Sequence, residues 1–136
     1  MTLLLIRHAL AGHRRAWEGD DRVRPVDDRG RLQSDALVDA LAQFQIDRIV
    51  SSPYLRCVQT VEPLAEARGL ELEQAHELGE DEQSTAGVAF VRGLLEEQVA
   101  VCVHGGLSDA AFGESQKKGE TLVVDIDGRV VERIRV

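Results

Sequence analysis

Ile46-Asp47-Arg48-Ile49-Val50-Ser51-Ser52-Pro53-Tyr54-Leu55-Arg56-Cys57-Val58-Gln59-Thr60 is the stretch on which the fold class turns. Ile46 to Val50 is short and rich in β-branched residues, so it reads as a strand. Ser51-Ser52-Pro53 closes it. Ser52 is placed to cap a helix, and Pro53 to occupy the first helical position, where a missing amide costs nothing. A strand that runs directly into a helix is the repeating step of an α/β sheet, and the flanking sequence repeats it.

Upstream, Thr2 to Ile6 is another apolar, β-prone run and reads as a central strand covered on both faces. Residues 9–27 carry Gly12, Gly19, Pro25 and many charges without periodicity, the mark of a long loop with a functional reason to exist. Asp27 or Asp28 can cap a helix over about Asp28 to Gln43, where Leu32, Ala36, Leu37, Ala40, Leu41 and Phe44 recur at helical spacing. Downstream, the helix begun near Pro53 is expected to reach Gly69, with Pro63 kinking or breaking it near Glu62. Leu70 to Glu73 alternates as a short strand, residues 74–85 form an acidic second loop, Val88 to Glu97 is helical, and Val99 to Val103 is an apolar strand ended by His104-Gly105-Gly106. This alternation predicts a single three-layer α/β/α domain over residues 1–136 with a mostly parallel central sheet. Thr121 to Asp125 and Val130 to Val136 add a C-terminal antiparallel hairpin across an Asp-Gly turn.

The chain has 136 residues and a formal charge of −8, from 16 Lys and Arg against 24 Asp and Glu. It is long enough for one core and too short for two conventional domains. The negative balance opposes a nucleic-acid polymer or an anionic membrane as partner. The charge is uneven, however: residues 1–31 hold seven arginines against five acids, so the question of an anionic ligand is local. The opening apolar run, Leu3 to Ile6, is broken at once by Arg7-His8, which leaves neither a signal-peptide core nor a membrane span, and a cytoplasmic address is expected. Cys57 and Cys102 have no ligand spacing and read as buried thiols in a reducing compartment; no disulfide, metal or cofactor is expected.

In open α/β sheets ligands bind at the carboxyl ends of the strands. Arg7-His8, the Ser51 to Arg56 segment and His104-Gly105-Gly106 all fall there, so two guanidinium groups, a helix N-terminus and two imidazoles converge. That set suits a phosphoryl group: arginine binds its oxygens in pairs, and an imidazole can attack phosphorus. Attack requires a neutral histidine, and neighbouring arginines favour that form by disfavouring the imidazolium.

Leu5-Ile6-Arg7-His8-Ala9, Ser51-Ser52-Pro53-Tyr54-Leu55-Arg56-Cys57-Val58-Gln59-Thr60 and Val103-His104-Gly105, in that order, resemble the histidine phosphatase superfamily, also called phosphoglycerate-mutase-like. The resemblance spans nearly the whole chain, and the middle motif is its most specific part. Arg-His-Ala in place of Arg-His-Gly, with the small size, looks like the SixA-type phosphohistidine phosphatases. It also looks like the phosphatase domains that follow Nudix domains in some actinobacterial proteins, where Trp17, Arg24-Pro25, Gly30 and the Gly119 to Val123 segment have counterparts. The resemblance implies that His8 attacks phosphorus and is transiently phosphorylated, that Arg7, Arg56 and His104 bind phosphoryl oxygens, and that water then hydrolyses the phosphohistidine without a metal. A carboxylic acid before the third helix would protonate the leaving group; Glu80 is the choice, with Glu77 second. The chain departs from the family after His104, where the usual helix is cut short by Gly113 and Glu114 to Lys118.

A phosphorylated protein, above all one carrying phosphohistidine, and a nucleotide or other small-molecule phosphate are the substrate classes this reading allows. A mutase is disfavoured by the lack of long insertions. A phosphoryl-binding or scaffold module with weak or lost turnover is the competing class, and a metal-dependent phosphohydrolase using the acidic loop a distant third. Elsewhere, His13 and His76 read as surface histidines, Cys57 as a packed helical thiol, Lys117-Lys118 as an exposed pair, and Trp17 as a cover or an anchor for its loop. Oligomeric state is open.

Overall fold

The computed structural model describes residues 2–136. Its strands are β1 (Leu3–Arg7), β2 (Arg48–Ser51), β3 (Leu72–Gln74), β4 (Val99–Val103), β5 (Thr121–Val124) and β6 (Val130–Ile134). They form one six-stranded sheet in the order β3-β2-β4-β1-β5-β6. β1 to β4 run parallel, with Leu5 opposite Val101 and Val50 opposite Val101 from the other side. β5 pairs antiparallel with β1 and with β6. The α/β/α domain with a mostly parallel sheet and a C-terminal antiparallel pair is thus the architecture observed.

Because successive strand residues face opposite ways, the central strands feed two cores. Leu3, Leu5, Val99, Val101 and Val103 pack with Val91, Leu94, Leu107 and Ala111, under helices α3 (Val88–Arg92) and α4 (Leu107–Phe112). Leu4, Ile6, Ala100 and Cys102 pack with Leu37, Leu41, Cys57, Val61 and Leu64, under α1 (Asp28–Ala40) and α2 (Leu55–Arg68). Leu3 to Ile6 are at most 1% exposed. Each such aliphatic side chain contributes about 1.5–3 kcal/mol, which is why a five-residue strand can sit at the centre of the sheet.

Several boundaries differ from the sequence reading, each for a local reason. Of the two expected caps Asp27 is the one used, its carboxylate accepting from Gly30 N at 2.8 Å, while α1 ends at Ala40, short of the expected Gln43. α2 starts at Leu55, two residues after Pro53, and Ser52 is not its cap: its hydroxyl lies 2.8 Å from His104 Nε2 and accepts from Tyr54 N at 3.2 Å. Pro63 does not break α2, which runs through to Arg68 and ends on left-handed Gly69 (φ 64°). Pro63 has no amide to serve the Gln59 carbonyl four residues back, and the helix carries the loss of that one bond. α3 stops at Arg92, with Gly93 as its C-cap, well short of the expected Glu97. A wide five-residue turn, Gln83–Gly87, precedes it.

Gly30 sits where the first turn of α1 touches the chain just beyond His8; a β-carbon there would collide with the Leu10 carbonyl oxygen and lie 3.0 Å from Val26 Cβ. Gly30→Ala is therefore expected to destabilise the fold by about 1–3 kcal/mol, read as a lower urea midpoint at unchanged m-value.

Candidate active site

The carboxyl ends of β1, β2 and β4 meet at one edge of the sheet. Arg7 closes β1 and His8 follows it; His8 N donates to Val103 O at 3.0 Å, which holds the residue against the end of β4. The His8 ring is nearly buried, and its Nδ1 lies 2.8 Å from the Ala9 carbonyl oxygen. A carbonyl only accepts, so Nδ1 carries the proton and Nε2 is left with its lone pair. Burial, and then the nearby Arg56, His104 and Arg7, push the imidazole down to about 3, outweighing the bond to Ala9. His8 is thus neutral at physiological pH. His104 packs edge-on to it, ring centroids 5.7 Å apart, with its Nε2 against Ser52.

Thr60 supports this arrangement from α2. Its hydroxyl donates to the Arg56 carbonyl at 2.6 Å and accepts from Ala9 N at 2.8 Å, fixing the peptide that orients His8. Arg7 donates through Nη1 to Gln116 O at 2.6 Å, while its buried Nε has no partner. Gly105 lies against this guanidinium: a β-carbon there would be 2.7 Å from Arg7 Cζ. Gln83 clamps the other side, donating to Gly105 O at 2.8 Å and accepting from His104 N at 3.3 Å.

Arg56 comes to the same edge, fully buried, with its guanidinium on the Asp21 carbonyl, the Asp21 carboxylate and Glu80. Glu80 also takes Arg14, so both its oxygens are engaged by guanidinium groups. Glu77 pairs instead with the exposed His76. Among the described residues, Glu80 is the one carboxylate lining the cavity over His8.

That cavity has a volume of about 400 Å³ and is walled by Arg7, His8, Arg14, Arg24, Lys118 and Glu80. Four cations against one carboxylate make it locally positive in a chain of charge −8. Burial, followed by Arg7, Arg24 and Arg56, lowers the Lys118 ammonium from its usual range, the electrostatic sign of cations crowded together. Lys118 arrives because Gly119 N donates to the carbonyls of both Arg7 and His8, at 3.1 and 3.0 Å.

The cations Arg14, Arg24 and Lys118 and the supports Asp21, Thr60 and Gln83 are the residues that motif reading passed over. Thr60 had a local signal as the last residue of the middle motif, and Arg24 one in the Arg24-Pro25 pair. Cys57 lies fully buried with its sulfur 3.6 Å from His104 Nε2, off the cavity wall.

A sequence model of the histidine phosphatase superfamily, branch 1, matches residues 3–90. The chain belongs to this superfamily. An 8-oxo-(d)GTP phosphatase of Mycolicibacterium smegmatis is 48% identical over 65 residues, which are 48% of this chain and 20% of that protein. The chain thus spans a fifth of that relative's length. In fold, the histidine phosphatase chain is similar to the protein histidine phosphatase SixA complexed with tungstate, at TM-score 0.81 and 22% identity over 99% of this chain and 97% of the other. It is similar also to the putative phosphohistidine phosphatase SixA of Agrobacterium tumefaciens, at TM-score 0.80 and 20% identity over the same shares.

The depressed His8 imidazole makes stability depend on pH. Between the ordinary value of 6.5 and about 3, the unfolded chain binds a proton that the folded one refuses. The His8 contribution is therefore complete above about 6.5 and is lost as pH falls toward 3. Urea unfolding of the wild type should weaken more steeply on acidification across this range than that of His8→Asn.

Proposed function

We propose that this histidine phosphatase hydrolyses phosphoryl groups by double displacement through His8. The observation that carries the reading is the bond from His8 Nδ1 to Ala9 O, because it leaves Nε2 unprotonated beside a cation-lined cavity. Arg7, with Arg14, Arg24 and Lys118, attracts the phosphoryl oxygens and stabilises the charge that builds on them in transfer. Arg56 and His104 complete the oxygen-binding set.

Nε2 attacks phosphorus, and the bond from phosphorus to the leaving atom breaks with its electron pair. Glu80 supplies the proton that the leaving atom takes up. An incoming phosphoryl group draws Arg14 and Arg56 toward its own oxygens and so releases Glu80 from them. Water then attacks the phosphohistidine and passes a proton back to Glu80, the N–P bond breaks with its electron pair returning to Nε2, and neutral His8, protonated Glu80 and inorganic phosphate result. Guanidinium and ammonium groups fill the electrostatic part of the mechanism.

For the substrate, the six-residue α4 beside the cavity leaves an open wall, which favours a bulky partner such as a protein phosphohistidine. A nucleotide is the second reading, favoured by the 8-oxo-(d)GTP phosphatase relative. A panel of phosphohistidine peptide, nucleotides and sugar phosphates separates the two by kcat/KM. Tight phosphate or vanadate binding with no turnover across the panel would select a binding module instead.

Incubation with a phosphoryl donor should label the wild type in an acid-labile form and leave His8→Ala unlabelled and inactive; full activity of His8→Ala would remove the mechanism. Glu80→Gln should lose about 100-fold or more in kcat on a substrate with a poor leaving group and much less on an activated aryl phosphate, since only the former needs a proton. Equal losses on both would assign Glu80 to holding the arginines.

A further inference from the structure

Beside the phosphoryl cavity lies a second one of about 240 Å³, with apolar walls from Ala11, Ala16, Trp17, Pro25 and Val26. Nothing in the reaction above uses it. The two cavities share Gly12, His13 and Arg24 as common border, so they adjoin at the loop that follows β1. The second is smaller than the about 300–1,000 Å³ that encloses a whole small molecule. It fits one ring of a ligand whose phosphoryl group is held next door.

We infer that this cleft is a subsite for a flat heteroaromatic ring joined to the phosphoryl group through a spacer such as a sugar, which turns the choice of substrate from the protein phosphohistidine toward a phosphate ester of nucleotide-like chemistry. The inference rests on the adjoining cavity being the phosphoryl site. Trp17 is 37% exposed, and its indole Nε1 donates to Asp20 O at 3.0 Å. Its polar edge is therefore engaged, and the ring offers carbon to the cleft. Asp20 in turn accepts from Arg22 N at 2.9 Å, so the turn that holds the indole is itself tied down. An indole fixed in this way is a stacking platform with little entropy left to lose. Arg24 stands at the shared border, its guanidinium bound to Ala11 O and Asp21, where a cation can face both a phosphate and a π-system. His13 and Asp27, also on the rim, can meet ring heteroatoms. An aliphatic leaving group would fill the apolar walls and leave those polar rims unused.

Trp17 is the only tryptophan of the chain, so its fluorescence reports on the cleft directly. Adenosine 5′-monophosphate is the ring-bearing probe, ribose 5-phosphate its ringless counterpart, and His8→Ala the protein, so that binding is read without turnover. Adenosine 5′-monophosphate should quench saturably and be displaced by inorganic phosphate, while ribose 5-phosphate should compete yet quench far less. With the active enzyme, Trp17→Ala should lower the ratio of kcat/KM for the nucleotide over ribose 5-phosphate at least about fivefold, and Trp17→Phe should restore most of it. No quenching, equal quenching by both probes, or quenching that phosphate cannot displace would overturn the subsite. Quenching as expected in a protein whose wild type hydrolyses nothing would keep the subsite and remove the catalytic reading.

Discussion

Arg56 is a guanidinium with no exposed surface, and the compensation of its charge organises the whole edge of the sheet. A buried ion left without partners costs several kcal/mol, so the chain must bring acceptors to it. They come from both long loops: the Asp21 carbonyl at 2.8 Å and carboxylate at 3.1 Å from one, and Glu80 at 3.0 Å from the other. Each carboxylate then recruits another guanidinium, Asp21 that of Arg24 and Glu80 that of Arg14. Two cavity cations are thus positioned by the acids that neutralise a third.

The same turn of α2 sets the state of the proposed nucleophile. Thr60, four residues beyond Arg56, bonds back to the Arg56 carbonyl and forward to Ala9 N, and Ala9 O holds His8 Nδ1. Helix periodicity therefore couples two functions: Arg56 and Thr60 lie on one face because 3.6 residues make a turn. Ser52, at the exit of β2, does the corresponding work for His104. A segment that passes from strand to helix in three residues can serve both histidines because they end neighbouring parallel strands, β1 and β4.

What was legible in the sequence follows from how local its cause is. Val99 to Val103 was readable to the residue, since a fully buried strand needs only an unbroken apolar run. His8, Arg7, Arg56 and His104 could be placed at one edge because strand ends in a parallel sheet converge whatever the loops do. Arg24, Lys118 and Gln83 could not: each reaches the edge through a loop whose path is decided by tertiary bonds, such as those from Gly119 N to Arg7 and His8. The capping role read for Ser52 does not hold, and of the two outcomes left open at Pro63 the break does not occur, for one shared reason. Helix rules describe an isolated segment, whereas here the burial of Val61, Leu64 and Ala65 carries α2 past its one missing bond and His104 claims the serine hydroxyl.

The overall charge of −8 and a cation-lined cavity are compatible because they act over different distances. Asp35, Glu62, Glu66, Asp81 and Glu132 are exposed, and at physiological salt their fields fade within about 8 Å. Within the cavity Arg7, Arg14, Arg24 and Lys118 stand around one small volume, so all four lie within a screening length of a single phosphoryl group held there. A long polyanion must cross the acidic outer surface with every repeat unit, whereas one phosphoryl group enters the cavity alone. The acids that lie close by are the two spent on arginines, and the nearer of them, Glu80, is the one whose partners a phosphoryl group would compete for. The ion pairs that hold the cavity in shape are thus of the same kind as those a phosphoryl group would make with the same guanidinium groups, and one anion can replace another on them.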